Sequence, residues 1–259
     1  MRIRLSLLCL TLFILSCKDK SSEFSKNNDT QHDQSDFFVV FNELDPAYCE
    51  KQKNEISYQY NKLINKSDFY GQFLVAKNGK ILFEDYEGFA YKEKDDKNRK
   101  NKPLHIASVS KVLTAAVILR MVDQEKIGLD DKVSEYLEGF YHKEITVRML
   151  LNHRSGLRHY GYFIERDVKW DRSKRITNHD ILKLINSGKI HLESKPGTRF
   201  AYCNTNYSLL ALIIEKVSGQ RYEDFITHQI FEKAGMKNTF YANHEKIIEN
   251  RVSGYRDRD

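Results

Sequence analysis

Between Val109 and Val122 the chain is apolar almost all the way round a helix, through Leu119, before a polar tail from Asp123 to Lys126 and a possible stop at Gly128. A helix without a polar face has to be buried, so the rest of the chain is expected to wrap around it. At its mouth stands Ser108-Val109-Ser110-Lys111, a hydroxyl and an ammonium three residues apart. If Ser108 opens the helix, the two side chains lie one above the other on one face. A serine hydroxyl is a poor nucleophile until a nearby base takes its proton, and a lysine in a dry pocket can serve. The helix N-terminus also favours negative charge that develops beside it. Spacing alone leaves a second reading open, in which Ser108 is an N-cap and Lys111 a solvated first-turn residue. A chain this rich in Ser and Lys yields about two Ser-x-x-Lys matches by chance.

A second group of chemistry-bearing residues is Tyr202-Cys203-Asn204, which follows the turn sequence Pro196-Gly197-Thr198-Arg199-Phe200. On extended backbone Tyr202 and Asn204 face the same side, a phenol that can pass protons beside an amide that can bind a substrate amide. Tyr241-Ala242-Asn243 repeats the pattern, but only the first copy has the Pro-Gly turn before it and an apolar helix after it. Leu150 to Leu157 brings a histidine, His153. No Gly-x-Ser-x-Gly and no aspartate partner accompany it, so His153 is read as structural, packing and hydrogen-bonding in its loop.

The surrounding pattern is α+β. A helix is predicted from Pro46 to Ile64, and strands at Phe73–Ala76 and Ile81–Phe83 flank Asn78-Gly79, with the second running on toward Tyr91. Further helices are predicted at Val147–Leu151, Asn178–Ser187, Thr205–Val217 and Tyr222–Ala234. A two-stranded hairpin alone is marginal, so this sheet looks unfinished. The mixed charges of Lys92 to Lys102 read as a solvated loop.

At its start the chain carries Arg2 and Arg4 ahead of the apolar run Leu5 to Leu15, too short to span a bilayer and shaped like a signal peptide. It ends Ile14-Leu15-Ser16-Cys17, which resembles a bacterial lipobox whose cysteine, Cys17, becomes the lipid-bearing first residue; an ordinary cleaved signal or an uncleaved anchor is the alternative. The expected organisation is a lipoprotein signal over residues 1–17, a flexible tether over 18–45 and one domain over 46–259. The expected location is the bacterial cell envelope, with Lys18 compatible with an outer-membrane, periplasmic or surface-facing site.

Composition narrows the partners. The excess of 42 Lys and Arg over 36 Asp and Glu is spread along the chain, which argues against a nucleic-acid surface. Cys49 and Cys203 remain beyond the signal, too few for a disulfide framework, and free thiols are expected. Neither Cys-x-x-Cys nor His-Glu-x-x-His occurs, so no metal and no cofactor are expected.

In their order along the chain, these segments resemble the serine β-lactamase and DD-peptidase family, in its class C-like and esterase-containing branch. Ile106 to Lys111 is similar to the family's first motif, Lys126 to Ser134 to the segment closing the next helix, and Leu150 to Leu157 to a loop of this branch. Pro196 to Asn204 resembles the approach to the second motif, and Leu212 to Gly219 and Gly235 to Thr239 resemble the stretches beyond, so that the likeness runs from about Tyr70 to Gly254. The resemblance implies an antiparallel sheet flanked by helices with a mostly helical subdomain. It implies a serine hydrolase in which Ser108 attacks an amide, β-lactam or ester carbonyl, Lys111 and Tyr202 share the base work, and Asn204 positions the substrate. The substrate would be a small molecule or a peptidoglycan peptide of D-Ala-D-Ala type. An esterase or D-amino-acid peptidase with the same machinery is the nearest alternative, and a non-catalytic envelope-binding lipoprotein is the rival outside enzymes. Family members also carry a third motif, Lys-Thr-Gly or His-x-Gly, on a C-terminal strand that completes the oxyanion hole. Only 55 residues follow Asn204, and that motif is absent from them, so a truncated domain lacking its C-terminal strands is expected.

Overall fold

The computed structural model describes residues 41–64, 69–168, 170–171, 173–242 and 251–254. The expected signal segment, Cys17 and all of the tether up to residue 40 lie outside them. From Leu44 onward the chain forms one compact unit. Its elements are α1 (Pro46–Leu63), β1 (Gly71–Lys77), β2 (Lys80–Glu87), β3 (Phe89–Tyr91), β4 (Asp96–Lys97), α2 (Ser110–Asp123), α3 (Val133–Tyr136), α4 (Val147–Leu151), α5 (Tyr160–Arg166), α6 (Asn178–Asn186), α7 (Asn204–Ser218) and α8 (Tyr222–Ile226). The α+β outline expected from the pattern is the one observed.

Helix α1 starts where Asp45 accepts the Ala47 N–H on its carboxylate at 2.8 Å, with Pro46 in the first turn where its missing N–H costs nothing. It lies on the hairpin through Tyr60, whose ring centroid is 5.0 Å from that of Phe73 and 5.2 Å from that of Phe83. The hairpin turns at Asn78 and Gly79, both at positive φ (48° and 72°), as a two-residue turn that matches strand twist requires. Pairing runs from Gly71↔Glu87 to Lys77↔Lys80 with a bulge at Val75/Ala76.

Two expectations are corrected here. The second strand does not continue to Tyr91: it breaks at Gly88, and β3 pairs with β4 instead. Nor is the whole of Lys92 to Lys102 solvated. Asn98 is buried and donates to the carbonyls of Gly71 (2.6 Å) and Glu87 (3.3 Å), tying the open end of the hairpin. Lys102 is buried too, with its ammonium on the Asp96 carboxylate.

The core is helical and centred on α7. Leu209, Leu210, Ala211, Leu212, Ile213 and Ile214 are all buried, so α7 is covered on every side. Helix α2, expected to be buried all round, is not. Thr114, Val117, Ile118 and Met121 face the core, while Val109, Val112 and Leu119 remain 63%, 67% and 47% exposed. The core covers one face of α2, and an apolar stripe lies on the other. The stop of α2 also differs from expectation: Glu125, at φ 55°, takes the left-handed position after the helix, and Gly128 instead donates its N–H to Asp131 at 2.7 Å. Thr114 and Tyr222 share a 2.6 Å hydrogen bond that fixes α2 to α8.

Past Tyr222 the predicted long helix is shorter. It is α-helical only to Ile226 and continues as one wider π-turn, Thr227–Phe231.

Candidate active site

A tight helical turn, Ala107–Val109, leads into α2 and carries Ser108. Ala107 sits at φ 44°, a left-handed conformation that costs a residue with a β-carbon about 1–2 kcal/mol. Ser110 Oγ donates to the Ala107 carbonyl at 2.7 Å and closes this turn. The N-cap reading of Ser108 fails on this geometry. The cap position of α2 is Val109, with no side-chain cap bond, and the Ser108 hydroxyl is engaged elsewhere.

Its partners are the residues singled out from the sequence. Lys111 Nζ donates to Ser108 Oγ at 3.3 Å from one turn along. Tyr202, 94 residues away in the chain, brings its phenol oxygen to 2.7 Å from Ser108 Oγ. The ammonium of Lys111 lies over the rings of Tyr202 (5.1 Å) and Tyr207 (5.6 Å), where the π faces favour a cation. The hydrogen bond with Lys111, and after it the one with Ser108, hold the Tyr202 phenol below the ordinary tyrosine range. Ser108 is exposed and Tyr202 is 50% exposed, so the group is open to solvent.

Asn204 is placed differently from the expectation. The extended backbone ends at Cys203 (φ −146°, ψ 119°), which is the N-cap of α7, and Asn204 is the first helical residue. Its Oδ1 is buried and accepts no hydrogen bond from the described residues. Cys203 is buried and unpaired, its thiol pushed up by burial, and Cys49 is unpaired as well.

Several residues that spacing did not single out complete the surroundings. Tyr207 follows Asn204 by one turn of α7, donates to the Leu151 carbonyl at 3.1 Å, and has its phenol pushed up by burial. The i, i+3 relation to Asn204 was the signal that could have found it. His153 packs its ring on Tyr202, with centroids 4.6 Å apart, and on Tyr207 at 5.2 Å. Its imidazole is held below the ordinary histidine range, mainly by burial and further by the charge of Lys111. His159, which caps α5 by accepting the Gly161 N–H at 3.1 Å, is shifted in the same direction by the same two causes. The loop carrying His153 lies against the segment before Tyr202. Gly156 (φ 74°) passes so close that a β-carbon would stand 2.1 Å from the Ser194 carbonyl oxygen, which only glycine allows.

Chemically, the arrangement offers a hydroxyl whose proton has a phenol and an amine within reach, at the N-terminal mouth of a helix. That is the constellation for nucleophilic attack on a carbonyl. Among the described residues, no group of three or more His, Cys, Asp or Glu is placed to hold a metal ion.

The chain as a whole is similar to known proteins. The family described as Beta-lactamase matches residues 70–259. Penicillin-binding protein 4* of Bacillus subtilis is 35% identical over 209 residues, which cover 80% of this chain and 45% of that protein. A D-aminopeptidase of Brucella anthropi is 31% identical over 64% of this chain and 32% of its own length. Among solved structures, that of a penicillin-binding protein from Bacillus halodurans superposes with a TM-score of 0.64 at 26% identity, over 79% of this chain and 60% of that one. The chain spans less than half the length of these curated relatives. With the fold, the ordered segments and the family match in agreement, the chain belongs to the Beta-lactamase family.

Proposed function

We propose that this chain is the serine acyl-transfer part of a hydrolase that works through an acyl-enzyme on Ser108. The observation that carries the reading is the 2.7 Å approach of the Tyr202 phenol to Ser108 Oγ, with Lys111 Nζ on the same oxygen at 3.3 Å. A serine used only for capping or packing has no need of a base on its hydroxyl. The hydrogen bond with Lys111 lowers the Tyr202 phenol and so favours its loss of a proton. As Ser108 Oγ bonds to the substrate carbonyl carbon, its proton passes to Tyr202, and general-base help of this kind is worth about 10²–10⁴ in rate. The tetrahedral intermediate then collapses: the bond to the leaving amine or alcohol breaks, and Tyr202 returns the proton to that leaving group. Water releases the acyl group by the same steps in reverse roles. Asn204, the residue after the Cys203 cap, would position the substrate amide through its side-chain amide.

The substrate class we favour is a β-lactam or a D-Ala-D-Ala-type peptide. The names penicillin-binding protein and D-aminopeptidase, borne by the relatives, support an amide over a simple ester. Incubation with a fluorescent penicillin, beside Ser108→Ala, tests the reading. Stable labelling of the parent that is lost in the variant supports it, and folded parent protein that takes no label refutes it. Nitrocefin and a nitrophenyl ester then sort β-lactam from ester turnover.

We propose further that the protein is lipid-anchored in the bacterial envelope through Cys17. Arg2 and Arg4, the apolar run to Leu15 and the Ser16-Cys17 junction support this. Labelling cells with a fatty-acid analogue, beside Cys17→Ser, decides it.

A further inference from the structure

His153 occupies a position where a side chain is a liability. After α4 the chain closes with the Arg154 N–H on the Met149 carbonyl (2.8 Å) and the His153 N–H on the Leu150 carbonyl (3.3 Å). That bond pattern ends helices on a left-handed residue, most often glycine, and His153 fills it at φ 57°. A residue held in a strained conformation that glycine would adopt freely points to a use for its side chain.

The use is visible in what His153 holds. Its carbonyl accepts the Ala201 N–H at 2.8 Å, and its ring Nδ1 accepts the Cys203 N–H at 3.1 Å. The backbone is thus gripped on both sides of Tyr202, while the imidazole ring lies against the phenol ring. Nδ1 is fixed as an acceptor by a buried chain of hydrogen bonds. Ser155 Oγ donates to Asn206 Oδ1 at 2.6 Å, which turns the Asn206 amide nitrogen toward Nδ1 at 3.2 Å. Ser155, Asn206 and His153 are all buried, so an unmet donor there would be costly.

We infer that His153 is a positioning residue for the reaction: as a neutral imidazole protonated on Nε2, it clamps the backbone and ring of Tyr202 so that the phenol stays on Ser108 Oγ. This inference rests on the acyl-transfer reading for its chemical consequence, while the clamp itself is judged separately. The groups facing the ring from the packed elements are Lys111 of α2, Tyr202 and Cys203 of the extended segment, and Tyr207 of α7, with Arg154 next in the loop. A proton on Nδ1 would turn the acceptor into a donor against the Cys203 and Asn206 N–H groups and open the clamp. Burial and the Lys111 charge both oppose that proton.

Three proteins test this: the parent, His153→Gly, which fits the backbone but lacks the ring, and His153→Asn, which tolerates the same φ and offers Oδ1 near the place of Nδ1. Melting temperature checks that each is folded. The expected result is acylation by fluorescent penicillin slowed on the order of 10- to 100-fold in His153→Gly, as misplacement of a reacting group produces, and largely restored in His153→Asn. The parent should also lose rate as pH falls through the imidazole titration, a limb absent from His153→Asn and retained in a His159→Asn control. If both His153 variants acylate at the parent rate, or if His153→Asn keeps the acid limb unchanged, the inference is overturned. Should His153→Gly fail to fold, His153→Asn alone decides by its pH profile. In a second arm that needs no acylation, the Cys203 backbone amide resonance is followed against pH by NMR. The clamp predicts that it titrates with the imidazole in the parent and not in His153→Asn. If the parent takes no penicillin, the acyl-transfer reading falls, and the NMR arm still settles the clamp; an amide that ignores the imidazole overturns it.

Discussion

Tyr202 and Ser108 stand 94 residues apart in the chain and 2.7 Å apart at their side-chain oxygens. The contact joins the turn before α2 to the segment before α7, two helices whose buried faces share one core. Core packing therefore sets the distance on which the proposed chemistry depends. Tyr202→Phe keeps the ring that lies on His153 and beneath Lys111 and removes only the oxygen. Ester or penicillin acylation should fall by about 10²–10⁴. Melting should show a stability change within about 1 kcal/mol, because half of the residue is already exposed. Unchanged acylation would remove Tyr202 from the mechanism.

The pH dependence follows from Lys111. Its hydrogen bond, with a smaller contribution from Ser108, lowers the Tyr202 phenol below the ordinary tyrosine range. Phenolate therefore forms at lower pH than in a free tyrosine, and the acylation rate should rise with pH along a limb below about 10. Lys111→Met removes the ammonium and should move that limb up toward about 10, besides slowing the reaction. Ultraviolet titration of tyrosinate, with Tyr202→Phe as the blank, measures the shift.

Alkaline stability has a separate origin. The Tyr136 phenol is pushed up to about 12, first by burial and then by its hydrogen bond to Asp131. A folded value above the unfolded one keeps the proton on in the native state. The stability it contributes is fully present below the ordinary value near 10 and is lost as pH rises toward 12. Chemical denaturation at stepped pH should show this decline in the parent and a flatter profile in Tyr136→Phe.

Burial separates α2 from α7. Ile213→Ala, in the fully covered helix, should cost about 2–5 kcal/mol. Leu119→Ala, on the open stripe of α2, should cost within about 1 kcal/mol. Urea titration of the two variants checks the contrast, and an equal loss at Leu119 would mean that something covers the stripe.

Sequence made the outline legible where local chemistry decides it. Asn78-Gly79 fixed the hairpin, the mixed stretch from Pro46 to Ile64 read as a helix, and the spacing of Ser108 and Lys111 placed both on one helical face. The meeting of Tyr202 with Ser108 was not legible from spacing, because nothing local encodes a contact across 94 residues; ordered resemblance to a family brought it within reach. The burial of α2 is only half legible because an apolar run shows which residues can be covered, not which of them a neighbouring element meets. His153 was half-read. It does pack and hydrogen-bond in its loop, but its left-handed backbone and its grip on Ala201 and Cys203 emerge only when two distant segments lie side by side. The burial of Lys102 escaped a charge-pattern argument for the same reason, since its Asp96 partner is set by the β3–β4 pairing.

The central claim is that Ser108 is the acylated residue. Reaction of the folded protein with benzylpenicillin, followed by proteolysis and tandem mass spectrometry, tests it most directly. The expected result is one adduct with the mass of the intact penicillin on the peptide containing Ser108, localised to that hydroxyl and absent from Ser108→Ala. An adduct on another residue, or folded protein that acquires none, would contradict the account.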